Sequence, residues 1–157
     1  MRSVLFVCLG NICRSPLAEA IFSSQIHQKK LQAKFITASC GTANYHVGDP
    51  PDPRTIKNAL LNGIEINHLG RQFAVSDFEE FDWIIPMDKS NLNNILRLPN
   101  AKNYLHKIRL MRTFDTEHTG SDVPDPYHGG EKDFQEVFDI LTRSMSGLVK
   151  MLEEKAS

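Results

Sequence analysis

Two side chains with strong chemistry, the Cys8 thiol and the Arg14 guanidinium, are separated by only five residues in CLGNICRSP, and Ser15 follows at once. Neither cysteine nor arginine is a turn-forming type, so the spacing asks for a chemical reason. A bound phosphate supplies one. A loop of this length running into a helix can aim successive backbone N–H groups at an anion, and the helix N-terminus adds about half a positive charge. The intervening Leu9, Gly10, Asn11, Ile12 and Cys13 would form that cradle, with Gly10 free to take angles that a side chain resists. Arg14 adds a planar fork for two phosphate oxygens. The same dipole, amides and guanidinium stabilise a thiolate, so the turn can activate Cys8 as a nucleophile. Attack on phosphorus would give a cysteinyl-phosphate for water to hydrolyse, with no metal and no cofactor. A Walker A loop is excluded, because the turn lacks a Gly-Lys-Ser/Thr ending.

Taken singly, these residues have plainer readings. A cysteine ending an apolar strand is usually packing, and a serine before a proline is usually a helix cap. Taken together they do not: Arg14 is hard to place as packing beside a strand end, and Gly10 and Asn11 add no core volume.

The elements that must position this turn alternate between strand and helix. Ser3 to Cys8 (SVLFVC) is apolar on both alternating faces, as in a strand covered on both sides. Ser15 as N-cap and Pro16 at the first helical position open a helix through LAEAIFSSQIHQKK. A second strand is expected over Ala33 to Ser39, then a loop from Cys40 to Pro51 and a helix capped by Asp52 that runs to Leu61 and stops at Asn62-Gly63. Ser76 and Glu79 have capping-box spacing for a short helix. Asp82 to Met87 predicts a third strand, Lys89 to Leu98 a helix, and Lys107 to Met111 a weaker fourth strand. Thr113 to Gly130 has neither period and predicts a long functional loop, before an amphipathic helix over Glu131 to Glu154. The pattern is that of one α/β domain over residues 1–157: a three-layer sandwich with a parallel sheet of about four strands and helices on both faces. In such sheets ligands bind beyond the carboxyl ends of the strands, where the CLGNICR turn falls.

Composition narrows the partners. With 18 basic and 19 acidic residues the formal net charge is -1, against a general nucleic-acid or membrane-surface binder. The apolar run Val4 to Leu9 is too short to span a bilayer, and no cleavable leader accompanies it. Cys8, Cys13 and Cys40 form neither a disulfide framework nor a CxxC zinc pattern, so a cytoplasmic protein is expected.

VCLGNICRSP at Val7 to Pro16, together with DPYHGG at Asp125 to Gly130, resembles the low-molecular-weight protein tyrosine phosphatases. The likeness covers essentially the whole chain and includes SCGTANYHVG, NHLGRQF and PMDKSN. It implies hydrolysis of phosphotyrosine in proteins or peptides, and of small aryl phosphates, with phosphate and oxyanions such as vanadate bound in the same cradle. It implies Asp125 as general acid and then base; without the resemblance Asp125 is no better a candidate than Asp122 or Asp115, since Asp-Pro is an ordinary turn dipeptide. It also implies that the Ser15 hydroxyl donates to the thiolate, that Asn11, Ser39 and His68 brace the loop, and that Tyr45 and Tyr127 wall a substrate cleft to which Asp88 contributes in a secondary way. Cys13 would form a reversible disulfide with the nucleophile. The chain departs from the family at His128, where many members have a second tyrosine.

Two other classes stay open. Arsenate reductases share this fold and loop but shuttle a disulfide through cysteines far downstream, and none follows Cys40 here. A binding module would hold phosphotyrosine without cleaving it.

Overall fold

β1 (Arg2–Cys8) sends alternate side chains into two separate apolar layers. Val4, Phe6 and Cys8 join one cluster, Leu5 and Val7 the other. A strand buried on both faces needs parallel neighbours with helical crossovers. The computed structural model, which describes residues 1–156, supplies them. β2 (Phe35–Gly41) and β3 (Trp83–Pro86) lie parallel to β1 in the order β2-β1-β3, with Phe6 opposite both Ser39 and Ile85. The sequence expectation of one domain ran on to Ser157, which lies outside the described residues.

One face is covered by α1 (Arg14–Gln28) and α5 (Glu131–Ala156) through Leu17, Ile21, Phe22, Leu141 and Met145. Phe22 lies between Phe6 and Phe35 at centroid distances of 5.8 and 5.9 Å. Each fully buried ring of this kind contributes about 1.5–3 kcal/mol. α2 (Pro53–Leu61) packs on α5 through Ala59. The opposite face is covered by α3 (Asp77–Glu80), α4 (Lys89–Leu96) and short 3-10 turns, through Phe78, Ile95 and Ala101.

Asp52 caps α2 as its position predicts, accepting from the Arg54 N–H at 2.9 Å ahead of Pro53. Four sequence expectations are corrected. The sheet has three strands, not four. Lys107 to Met111 is squeezed between 3-10 turns at Leu105–Lys107 and Met111–Phe114, so only Ile108 bridges to Ile84. α1 begins at Arg14 with Cys13 at its N-cap, so Ser15 lies inside the helix and its hydroxyl is free for other work. The Ser76 capping box does not form, because the Asp77 carboxylate takes the Ala74 N–H at 2.8 Å. α4 ends at Leu96, two residues early, with Arg97 as its C-cap.

Candidate active site

The turn from Leu9 to Cys13 joins the C-terminal end of β1 to the N-terminus of α1, at the sheet edge where ligands of parallel sheets bind. The segment that follows β2 supports it: Thr42 N donates to Cys8 O at 2.9 Å and Ala43 N to Leu9 O at 3.0 Å. Gly41 permits this approach, since a Cβ there would sit 2.7 Å from Leu9 O.

Asn11 shapes the turn. Its φ is +58°, a left-handed conformation that asparagine tolerates better than most side chains. Its side chain is then saturated. Nδ2 donates to Ser15 Oγ at 2.8 Å and Ser39 Oγ at 3.0 Å, while Oδ1 accepts from Arg71 N at 3.1 Å and His68 Nε2 at 2.7 Å. These contacts set the proton directions on Asn11, His68 and Ser39. Because Oδ1 only accepts, His68 carries its proton on Nε2; burial, then Arg71, lowers the pKa of His68, which favours this neutral form. Ser39 receives from Asn11 and donates to Glu19 Oε1 at 2.7 Å. Ser15 likewise receives from Asn11, so its own proton is available to Cys8 Sγ, 3.0 Å away. Cys40 O is the competing acceptor at 3.3 Å. The Asn11 N–H approaches the same sulfur at 3.3 Å.

Arg14 is 3% exposed, yet charged. Burial opposes its charge, and Cys8, Asp88 and Asp125 outweigh that and raise its pKa. Nη1 donates to Asp88 Oδ2 at 2.6 Å and to Val123 O at 3.0 Å. Nη2 lies 3.7 Å from Asp125 Oδ2. Asp88 therefore stands behind the guanidinium rather than in the cleft wall. Its Oδ1 caps α4 by accepting from Asn91 N at 2.7 Å, and the Asn91 amide, turned to satisfy both partners, donates to the same oxygen at 3.0 Å and accepts from Leu9 N at 3.3 Å.

Above the sulfur opens a cleft of about 400 Å³. Tyr45 and His46 line it, as do Tyr127 and His128, together with Asp125. Asp125 is 46% exposed, and its Oδ1 accepts from Tyr127 N at 3.1 Å in an Asx turn. Cys13 is buried against Ile12 and Phe134, and burial pushes its thiol up to about 12, so it is a neutral thiol at ordinary pH.

The structure thus brings Cys8, Asn11, Arg14, Ser15, Ser39, His68 and Asp125 into one constellation, places Tyr45 and Tyr127 on the cleft, and sets Asp88 one layer back. Sequence reasoning missed Glu19, Asn91, Arg71 and His46. Glu19 follows Ser15 by four residues on one helix face, a signal that becomes readable only once Ser15 is known to point inward. Arg71 acts through its backbone N–H, which leaves no trace in residue type. Among the described residues no group of histidine, cysteine or carboxylate side chains could hold a metal ion, and no helix is long and apolar enough to cross a membrane.

Comparison with known proteins agrees with this geometry. The family model for low molecular weight phosphotyrosine protein phosphatase matches residues 3–157. A low molecular weight phosphotyrosine protein phosphatase of Schizosaccharomyces pombe is 46% identical over 150 residues, covering 95% of this chain and 96% of that protein. The crystal structure of a protein tyrosine phosphatase from Entamoeba histolytica with Hepes in the active site is similar at a TM-score of 0.94 and 42% identity, covering all of both chains. The arginine phosphatase YwlE, in a cysteine-to-serine variant whose active-site serine is phosphorylated, is similar at a TM-score of 0.85 and 25% identity over 96% of this chain and 95% of that one. With a family model over residues 3–157 and relatives of this identity and coverage, the chain belongs to the low molecular weight phosphotyrosine protein phosphatases.

Proposed function

We propose that the protein hydrolyses phosphotyrosine monoesters through a phosphorylated Cys8. The observation that carries this reading is the placement of Cys8 Sγ: it faces the Ser15 hydroxyl at 3.0 Å and the Asn11 N–H at 3.3 Å, at the N-terminus of α1 and beside buried Arg14. Both groups and the helix N-terminus are placed to stabilise negative charge at that sulfur when it leaves phosphorus.

In the first step the Sγ electron pair forms the S–P bond and the P–O bond to the phenol breaks. Arg14 holds two equatorial oxygens of the transferring group, with Asp88 and the Val123 carbonyl fixing its fork. Asp125, exposed at the rim of the cleft, gives its proton to the departing phenolate. In the second step Asp125 takes a proton from water, whose oxygen forms a new P–O bond as the S–P bond breaks. Phosphate leaves and the thiolate returns. The Tyr45 and Tyr127 walls suit an aryl ester, whose ring spans the cleft, better than the shorter phosphoserine. The phosphorylated serine of the YwlE variant supports a covalent intermediate at the corresponding nucleophile.

Phosphotyrosine proteins or peptides are the substrates, phosphate and vanadate-like oxyanions the inhibitors. Three free thiols support a reducing, cytoplasmic setting. A reductase relay finds no support in the packing. Cys40 lies in the apolar layer on the other side of the sheet from Cys8, and no cysteine follows it.

The test is turnover of p-nitrophenyl phosphate and phosphotyrosine by the natural chain, Cys8→Ser and Asp125→Asn. Cys8→Ser is expected to be inactive and Asp125→Asn slower by about 10²–10⁴-fold in kcat. Phosphopeptide binding without phosphate release would turn the reading toward a binding module.

A further inference from the structure

A second groove of about 510 Å³ opens beside the catalytic cleft, between α2 and the first turns of α5. Arg54 is the saddle between them. Its Cζ lies 5.4 Å from the centroid of Tyr127, which walls the cleft, and 4.7 Å from that of Phe134, which lines the groove. Wall and groove are thus within reach of about three extended residues. The groove is also preformed: Asn58 Nδ2 donates to Gln135 Oε1 at 2.9 Å and holds α2 to α5 at one set separation. Its exposed surface is mostly carbon, from Leu61, 77% exposed, and the stem of Lys57, although the charged ends of Lys57 and Glu131, 3.9 Å apart, also line it. Arg54 directs Nε and Nη2 to Asp52, at 3.1 and 2.8 Å, while its guanidinium lies over the Tyr127 and Phe134 rings. A ligand in the groove therefore meets chiefly its aliphatic stem.

Any substrate whose phosphotyrosine occupies the cleft must present its neighbouring residues at this mouth, where tethering raises their local concentration to the millimolar range. Resting on the phosphotyrosine reading above, we infer that the α2–α5 groove is a substrate subsite, which takes a large aliphatic or aromatic side chain two or three residues from the phosphotyrosine. The groove selects among phosphopeptides and takes no part in the chemistry. A rival occupant, a second copy of this chain, would compete with peptide for the same face.

The experiment measures kcat and KM for phosphotyrosine peptides in which each position within three residues of the phosphotyrosine is in turn Ala, Leu or Phe. p-Nitrophenyl phosphate serves as a substrate too small to reach the groove. Leu61→Glu, on an exposed position outside the catalytic machinery, is run beside the natural chain. The expected result is a gain of about tenfold in kcat/KM for Leu or Phe over Ala at one position, expressed in KM, lost in Leu61→Glu, with p-nitrophenyl phosphate turned over equally by both. A flat peptide profile with intact p-nitrophenyl phosphate turnover overturns the groove assignment alone. So does a gain that survives Leu61→Glu, an equal loss on the small substrate, or self-association that Leu61→Glu abolishes. Absence of any turnover by the natural chain refutes the reading of the cleft and the subsite with it.

Discussion

Asp115 offers the sharpest test of how the loop that carries Asp125 is held. Its side chain is fully buried and accepts from Arg143 Nε at 2.6 Å, Arg112 Nε at 2.9 Å and the Glu117 N–H at 3.0 Å. Burial opposes its ionisation, but the bonds from Arg143, the Glu117 amide and Arg112 outweigh it and hold the carboxyl at about 2, against an ordinary 3.8. That difference corresponds to about 2.5 kcal/mol. Asp115→Asn also leaves two guanidinium groups facing a neutral amide, one of them in the interior, and breaking a buried pair this way costs about 3–5 kcal/mol. We expect a loss near 3 kcal/mol. With an m-value of about 2 kcal/mol/M, the urea midpoint should fall by roughly 1.5 M at neutral pH with m unchanged.

The sign with pH follows from linkage. A carboxyl depressed in the folded state stabilises fully above its ordinary pKa of 3.8, and that stabilisation is lost as pH falls toward 2. The natural chain should therefore lose stability between about pH 4 and 2 more steeply than Asp115→Asn. Arg112 also donates to the carbonyls of Glu117 at 3.1 Å and Asp122 at 3.2 Å, and the loop then leads to Asp125. The folded variant should accordingly show a severalfold lower kcat. A midpoint shift worth less than about 1 kcal/mol, or equal acid slopes in the two chains, would refute the reasoning.

Iodoacetamide at neutral pH should alkylate Cys8 and leave Cys13 untouched by peptide mass spectrometry, because Cys13 is a buried thiol held up to about 12; modification of Cys13 at a comparable rate would contradict its assigned environment. His68 has a lowered pKa, so the folded state resists its protonation and stability should drop as pH falls below the ordinary histidine value of about 6.5. His68→Gln, which can keep a donor toward Asn11, should flatten that part of the urea-midpoint profile, and an unchanged profile would exclude His68 as its source. Asn11→Ala removes four hydrogen bonds and places alanine at φ +58°, so kcat on p-nitrophenyl phosphate should fall by about 10²-fold or more, while Ser39→Ala in that background should add little because both act through one network; full additivity would separate them.

What was legible in the sequence was whatever leaves a local mark. The double-faced apolar run of β1, the Asp52-Pro53 helix start and the C-x5-R turn each follow from a few consecutive residues, and each is present in the fold. Asp125 was legible only by resemblance, since its role depends on a loop that returns more than a hundred residues later to bring Val123 O and its own carboxylate to Arg14. Ser15 shows the limit most clearly. Local propensity makes serine before proline an N-cap, but the helix starts two residues earlier, and the Ser15 hydroxyl instead receives from Asn11 Nδ2 and faces Cys8 Sγ and Cys40 O. A local rule lost to a tertiary one at the point where the chemistry lies. Asn100 also takes a positive φ, of 68°, but lies outside that chemistry. The left-handed Asn11 matters more because β2, the segment at His68 and Arg71, and α1 all converge on its amide, an arrangement that no single stretch of sequence encodes.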